Sequence, residues 1–220
     1  MDNVTTNNKV FLMGEVTTNP TFSHEMYGEG FYDFMLSVKR LSGQNDMIPI
    51  TVSERLLKDK IEVGNLVALN GQFRSYNKLV DGKSKLMLTV FVKDFVPYDE
   101  NEQNPNIVEL TGFVCKPPIY RTTPFNREIC DILLAVNRSY NKSDYIPCIA
   151  WGRNARFSQG VEVGKQITVS GRVQSREYSK KIGDQTEVRV AYELSVSKIV
   201  IDKNSDEEIA QTQLEENTAL

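Results

Sequence analysis

Histidine and tryptophan occur once each in this 220-residue chain and cysteine three times, and each scarcity removes a class of function. The lone His24 has no Cys, Asp or Glu cluster near it at metal-ligand spacing, which predicts an exposed loop residue rather than a metal ligand or a general base. Cys115, Cys130 and Cys148 are odd in number, form no CxxC pair and fall in stretches of strand character. They read as reduced thiols packed in or beside a core, in a reducing cytoplasm. No apolar run approaches the roughly 18 residues that span a bilayer, and the opening MDNVTTNNKV lacks a basic segment followed by an apolar core, so neither secretion nor membrane insertion is expected. No GxSxG or HExxH string is present. Gly82-Lys83-Ser84 has Asn77 where a phosphate-binding loop needs glycine, and it sits in a hairpin rather than between strand and helix. The chain reads as a non-enzyme with no cofactor and no metal.

What is present is unevenly spread. The net charge is −3, but residues 106–200 hold 14 Lys and Arg against 9 Asp and Glu, a balance of +5. Residues 1–105 stand at −3 and the last 20 residues at −5. A basic segment thus lies between a mildly acidic one and an acidic tail, which keeps a polyanionic partner open despite the negative total.

The chain also repeats itself. Asn8, Val10, Leu12, Gly14 and Val16 recur 98 residues later as Asn106, Val108, Leu110, Gly112 and Val114. The same offset carries Asp33, Leu36, Val38 and Arg40 onto Asp131, Leu134, Val136 and Arg138, and Asp46, Ile48 and Pro49 onto Asp144, Ile146 and Pro147. Ile61-Glu62-Val63-Gly64 returns as Val161-Glu162-Val163-Gly164, with Gly71 and Ser75 answering to Gly171 and Ser175 at an offset of 100. One structural unit used twice is the simplest source of such register. The polar stretch DENEQNP, residues 99–105, has the composition of a surface linker. The expected division is a first domain over 1–99, a second over 106–201 and an acidic tail over 202–220, solvated and without fixed structure.

Within each repeat the apolar residues recur with period two in runs rich in aliphatic and β-branched side chains, as in DILLAV, and these predict strands. SERLLKDKIEVG and GRNARFSQGVEVG carry helix-compatible spacing for one or two turns before a glycine. Polar loops SYNKLVDGKSK and EYSKKIGDQTE, with Asp-Gly or Gly-Asp turns, are expected between the fourth and fifth strands. Three strands, a short helix, a strand, a hairpin and a strand is the order of an OB-fold, a five-stranded Greek-key barrel. The fold class is therefore all-β, with two tandem barrels, each carrying a short helix between strands 3 and 4.

An OB-fold hosts many functions, so side chains must decide. VELTGFVCKPPIYRT, DILLAVNR, the WG of DYIPCIAWGRNARF and VEVGKQITVSGRVQSREY resemble the bacterial single-stranded DNA-binding protein family over about residues 106–200. LMGEV, DFMLSVKR and VGNLVALNGQFRSY resemble it more faintly in the first repeat. The resemblance places Tyr145, Trp151 and Tyr178 where the family has base-stacking aromatics, with Tyr140 in a loop that often holds another. It makes Arg121, Arg138, Arg153, Arg172 and Arg176 candidates for phosphate contact, with Lys180 and Lys181 at a hairpin tip. Unpaired DNA exposes base faces that stack on rings and phosphates that attract Arg and Lys, and the segment supplies both.

The first repeat has Met47 in place of Tyr145 and Ser53 in place of Trp151, so its stacking platforms are absent there. It keeps Arg74, Tyr76 and Lys78 by its hairpin, which suits an assembly role and a secondary groove. The resemblance implies a partner in single-stranded DNA, a role in replication, recombination or repair, a homodimer that brings four barrels together, contacts with replication or repair proteins, and a cytoplasmic, nucleoid-associated setting in a bacterium or phage. The tail ends in Asn217-Thr218-Ala219-Leu220 without the family's Pro-Phe tip, which weakens the expectation of protein partners. Two alternatives are a protein-interaction or replication-restart module with weak DNA binding and an accessory domain pair of an RNA-processing or nuclease system.

Overall fold

The computed structural model of the chain describes residues 7–57, 61–80, 82–182 and 185–201; the acidic tail from 202 onward lies outside them. Among the described residues there are twelve strands, most of which form because alternating side chains let one face be dried while the other stays wet. The first half contributes β1 (Asn8–Val16), β2 (Thr21–Met26), β3 (Glu29–Lys39), β4 (Asn45–Ser53), β5 (Leu66–Val80) and β6 (Lys83–Val96). The second contributes β7 (Asn106–Val114), β8 (Ile119–Thr122), β9 (Glu128–Arg138), β10 (Lys142–Trp151), β11 (Gln166–Ile182) and β12 (Gln185–Ile201).

In the first half β1 pairs with both β3 and β5, β3 with β4, β4 in parallel with β6, and β6 with β5. That circuit closes a five-stranded barrel of OB type. β7, β9, β10, β12 and β11 repeat it. The inward faces form the core, with Leu12, Leu36, Ile48 and Phe73 fully buried in one barrel and Leu110, Leu134, Ile146 and Val173 in the other. These are the same repeat positions used twice.

Three features differ from the sequence reading. β2 and β8 add a sixth strand to each barrel, pairing with β3 and β9. β2 is exposed along its whole length, so it carries no alternation by which to be recognised. His24 consequently lies on a strand, not in a loop, with its ring stacked on Phe31 at 5.0 Å. The polar "loops" before the fifth strands are instead strand: β5 and β6 stay paired out to Val80 and Lys83, and β11 and β12 out to Ile182 and Gln185. Where a two-stranded ribbon leaves its barrel both faces are wet, and polar residues pair through their backbones without an apolar period.

The helical expectation splits. In the second barrel α1 (Arg153–Ser158) buries Ala155 and Ser158, and Asn154 Nδ2 donates to the Ser197 carbonyl at 2.9 Å. In the first barrel the described part is a single 3-10 turn, Glu54–Leu56, whose start is capped by Ser53 Oγ accepting from the Arg55 N–H at 3.2 Å; residues 58–60 of that expected helix lie outside the described residues. Cys130 and Cys148 are buried in the second core, and burial pushes both thiols up. Cys115 sits just past the end of β7, its Sγ donating to the Leu133 carbonyl at 3.1 Å. Among the described residues no helix is long and apolar enough to cross a membrane.

The two barrels are one sheet. β1 and β7 pair antiparallel, Asn8 with Leu110 through Leu12 with Asn106, which joins all twelve strands. Val10 faces Val108, its own counterpart at the offset of 98, so an internal two-fold axis passes between them. The ladder extends at both ends, with the Met13 N–H donating to the Pro105 carbonyl and the Thr111 N–H to the Asn7 carbonyl, each at 2.8 Å. The linker therefore ends inside the β1–β7 ladder.

Candidate nucleic-acid interface

Strand parity sorts the predicted side chains. On β10, Asp144, Ile146, Cys148 and Ala150 are buried inward, so by alternation Tyr145, Pro147, Ile149 and Trp151 point to the opposite face, where Ile149 is also covered. Tyr145 is 47% exposed and Trp151 36%, and six residues of strand separate them by about 20 Å. Register carries the face sideways: Trp151 lies opposite Ile129, and Ile129 opposite Arg121 on β8. On the other flank Ile149 is level with Ser195 of β12, which faces Arg172 of β11. Gln174, Arg176 and Tyr178 follow on the same face by alternation, and Tyr178 is 37% exposed with the Arg176 guanidinium 5.9 Å from its ring centre. Tyr178 also has Arg189 as its cross-strand partner, a cation that the motif comparison did not single out. One surface of the second barrel thus holds three exposed rings, Arg121, Arg172 and Arg176.

The cations on this face are held in place. Arg121 donates from Nε and Nη2 to the two carboxylate oxygens of Asp131 at 2.6 and 3.1 Å, which raises its pKa. Arg176 Nε lies 3.4 Å from Glu193 Oε1. Arg172 donates to Asp46 of the first barrel and to Gln174, each at 3.0 Å, and its partial burial lowers its pKa. Such pairing fixes guanidinium planes while leaving N–H groups free to turn to a phosphate.

The other predicted residues lie elsewhere. Arg138 ends β9 on the core side, where its Nε is 3.3 Å from Asp144 Oδ2. Arg153 is exposed at the first position of α1. Tyr140 is 94% exposed in the β9–β10 turn, with a left-handed φ of 62°. Lys181 is exposed far out on the β11 ribbon, and the side chain of Lys180 beside it lies outside the described residues.

In the first barrel Met47 is exposed at the Tyr145 position, whereas Ser53, at the Trp151 position, is buried and donates to Glu29. Aromatic rings nonetheless stand on this face, supplied by other strands. Arg74 lies 3.8 Å over the Phe91 ring, Phe91 is 5.5 Å from Phe31, and His24 stacks on Phe31. Tyr76 and Lys78 are exposed farther along β5. Burial lowers the pKa of Arg74 and raises that of Tyr76. Sequence comparison by repeat position missed Phe91 because β4 was the strand being compared.

Between the barrels the repeat places charged residues whose role no motif announced. Asp46 and Asp144 are both fully buried. Asp46 accepts from Arg40 of its own barrel and, across the junction, from Arg172 and from the Ser175 N–H at 2.7 Å. Asp144 accepts from the Ser75 N–H at 2.7 Å. The serine hydroxyls return the contact: the Met47 N–H donates to Ser175 Oγ at 3.0 Å and the Tyr145 N–H to Ser75 Oγ at 2.7 Å. Their only signal in the sequence was that both Asp and both Ser recur at matched positions. Among the described residues no group of three or more His, Cys, Asp or Glu could hold a metal ion.

The model of the single-strand binding protein family matches residues 105–201, the second barrel and the last linker residue. A single-stranded DNA-binding protein of Clostridium tetani (strain Massachusetts / E88) is 35% identical over 85 residues, which are 36% of this chain and 59% of that protein. Single-stranded DNA-binding protein B of Bacillus subtilis (strain 168) is 33% identical over 85 residues, 36% of this chain and 75% of that protein. Across the curated relatives it matches, the segment spans from about half to three quarters of the relative's length. The crystal structure of the wild-type single-stranded DNA binding protein from Thermus aquaticus covers 89% of this chain and 93% of its own, at 22% identity and a TM-score of 0.67, a likeness of fold.

Proposed function

Because the chain belongs to the single-strand binding protein family, we propose that it binds single-stranded DNA irrespective of sequence and without catalysis, covering the strand during replication, recombination or repair. The observation that carries this reading is the shared exposed face of Tyr145 and Trp151 on β10, flanked by Arg121 and by Arg176 with Tyr178. Rings spaced along a strand suit successive unstacked bases, and a ring accepts any base because every base has a π-face. The flanking guanidinium groups suit the phosphates that run beside them. Arg153 at the start of α1, Tyr140 in its turn, Lys180 and Lys181 on the ribbon, and Arg74, Tyr76 and Lys78 of the first barrel extend the basic and aromatic surface. Arg138, 3.3 Å from Asp144 at the end of β9, is a further candidate for phosphate contact through the part of its side chain that stays exposed.

The proposed assembly is a homodimer with four barrels, acting in the cytoplasm of a bacterium or its phage in association with DNA and with replication or repair proteins. Exposed apolar residues on both ribbons, Leu79 and Leu86 in the first and Val188 and Val190 in the second, support a self-association surface.

Titration with poly(dT) while following emission from Trp151 tests the reading. Stacking quenches the emission, and affinity falls with salt on a log-log plot by about 0.7 per neutralised charge. Emission unchanged at saturation, or affinity indifferent to salt, would remove the stacking and phosphate roles respectively.

A further inference from the structure

We infer that Ser75 of the first barrel is a positioning residue for Tyr145 of the second, so that the proposed stacking face is completed across the barrel junction; this rests on the single-stranded DNA reading above. β10 is paired with β9 along its whole length, but on its other edge it meets β12 only over Cys148–Ala150. Among the described residues no strand of its own barrel pairs with that edge upstream of Cys148, and buried backbone N–H groups need an acceptor. Ser75 supplies one. Its hydroxyl accepts the Tyr145 N–H at 2.7 Å, while its own N–H donates to Asp144 Oδ1 at 2.7 Å. Two bonds from one residue thus grip consecutive residues of β10, and Ser75 is itself buried. The ring of Tyr145 stands on the backbone so held.

The internal two-fold provides a control within the same molecule. Ser175 grips Asp46 and Met47 by the same two bonds, at 2.7 and 3.0 Å. The side chain held there is a methionine, not a ring. A bracket that only joins barrels should matter equally at both places; a bracket that also aims a stacking ring should matter to DNA at Ser75 alone.

The test is poly(dT) affinity of the full chain carrying Ser75→Ala, Ser175→Ala, Tyr145→Ala or Ser75→Ala with Tyr145→Ala, at one salt concentration, with thermal unfolding measured in parallel. Ser75→Ala is expected to weaken binding about 2- to 10-fold, the worth of one hydrogen bond, while Ser175→Ala leaves affinity unchanged and lowers the melting temperature as much. In the Tyr145→Ala background Ser75→Ala has no further effect, because the ring it positions is gone. Equal losses of affinity in the two serine variants, or a loss from Ser75→Ala that persists without the Tyr145 ring, overturns the positioning role and leaves the DNA-binding reading standing. Wild-type affinity in Tyr145→Ala removes the stacking role of that ring, and the positioning role with it.

Discussion

Asp46 and Asp144 occupy the same place in the two repeats, yet their partners differ. Asp46 has two arginines and a backbone N–H, whereas Arg138 forms an ion pair with Asp144 at 3.3 Å that lacks hydrogen-bond geometry, leaving Arg138 Nε and Asp144 Oδ2 without a hydrogen-bond partner among the described residues. Burial therefore dominates at Asp144 and raises its pKa above the ordinary 3.8, against the opposing pull of the Ser75 N–H, Arg138 and Arg74. The native state then binds more protons than the unfolded one at pH values just above 3.8, so this group's contribution to stability falls as pH rises through that window and is level beyond the folded pKa. Urea unfolding of the wild type and Asp144→Asn between pH 4 and 7 should show their stability difference shifting against the wild type as pH rises. A shift in its favour would mean that the cations, not burial, control the carboxyl. Trp151 belongs to the same scale. Stacking is worth about 1 to 3 kcal/mol per base, so Trp151→Ala should weaken poly(dT) binding several-fold to a hundredfold. That Tyr145 and Trp151 share one outward face was legible because they alternate correctly on one strand. The buried aspartates were not, since nothing in a local pattern distinguishes an acid aimed at another barrel from one aimed at water.

At the level of elements, the strands with one dry face were readable and those with two wet faces were not. β3 alternates from Phe34 to Val38 and β9 from Cys130 to Val136, while β2 and the outer halves of β5 and β11 are exposed on both sides, so their polar residues looked like loop. The recurring glycines have a steric reason that only closure shows. β1 and β7 must each serve two neighbours within their own barrel besides pairing with one another, and a Cβ on Gly14 or Gly112 would lie 2.3 Å from the Ser37 carbonyl oxygen or 2.4 Å from that of Ala135. Backbone cannot yield there as a flexible side chain would. Gly112→Ala should cost about 1 to 3 kcal/mol, the usual range for forcing atoms into a packed site. Gly160→Ala, with its nearest neighbour 3.8 Å away, should unfold in urea like the wild type.

Across the whole molecule, the β1–β7 ladder and the paired serine brackets join the barrels into one sheet with an internal two-fold. The ladder-end bonds and the serine bonds each have their counterpart on the other side of the axis, the geometry of an isologous dimer written within one chain. Two such chains would bring four barrels together, and sedimentation at micromolar concentration should return twice the chain mass; a monomer would dismiss the ribbon surfaces as an interface. Sequence alone determined the duplication, the barrel order and the aromatic residues of β10, because repeats, periodicity and composition are local and survive in one dimension. Only the tertiary structure decided which edges of those barrels meet, that Ser75 and Asp46 reach across to the other repeat, and that the first barrel places its rings on β2, β3, β5 and β6. Those outcomes depend on strands far apart in the chain being pressed against one another, where an unsatisfied backbone edge or a buried charge takes whichever partner the packing brings.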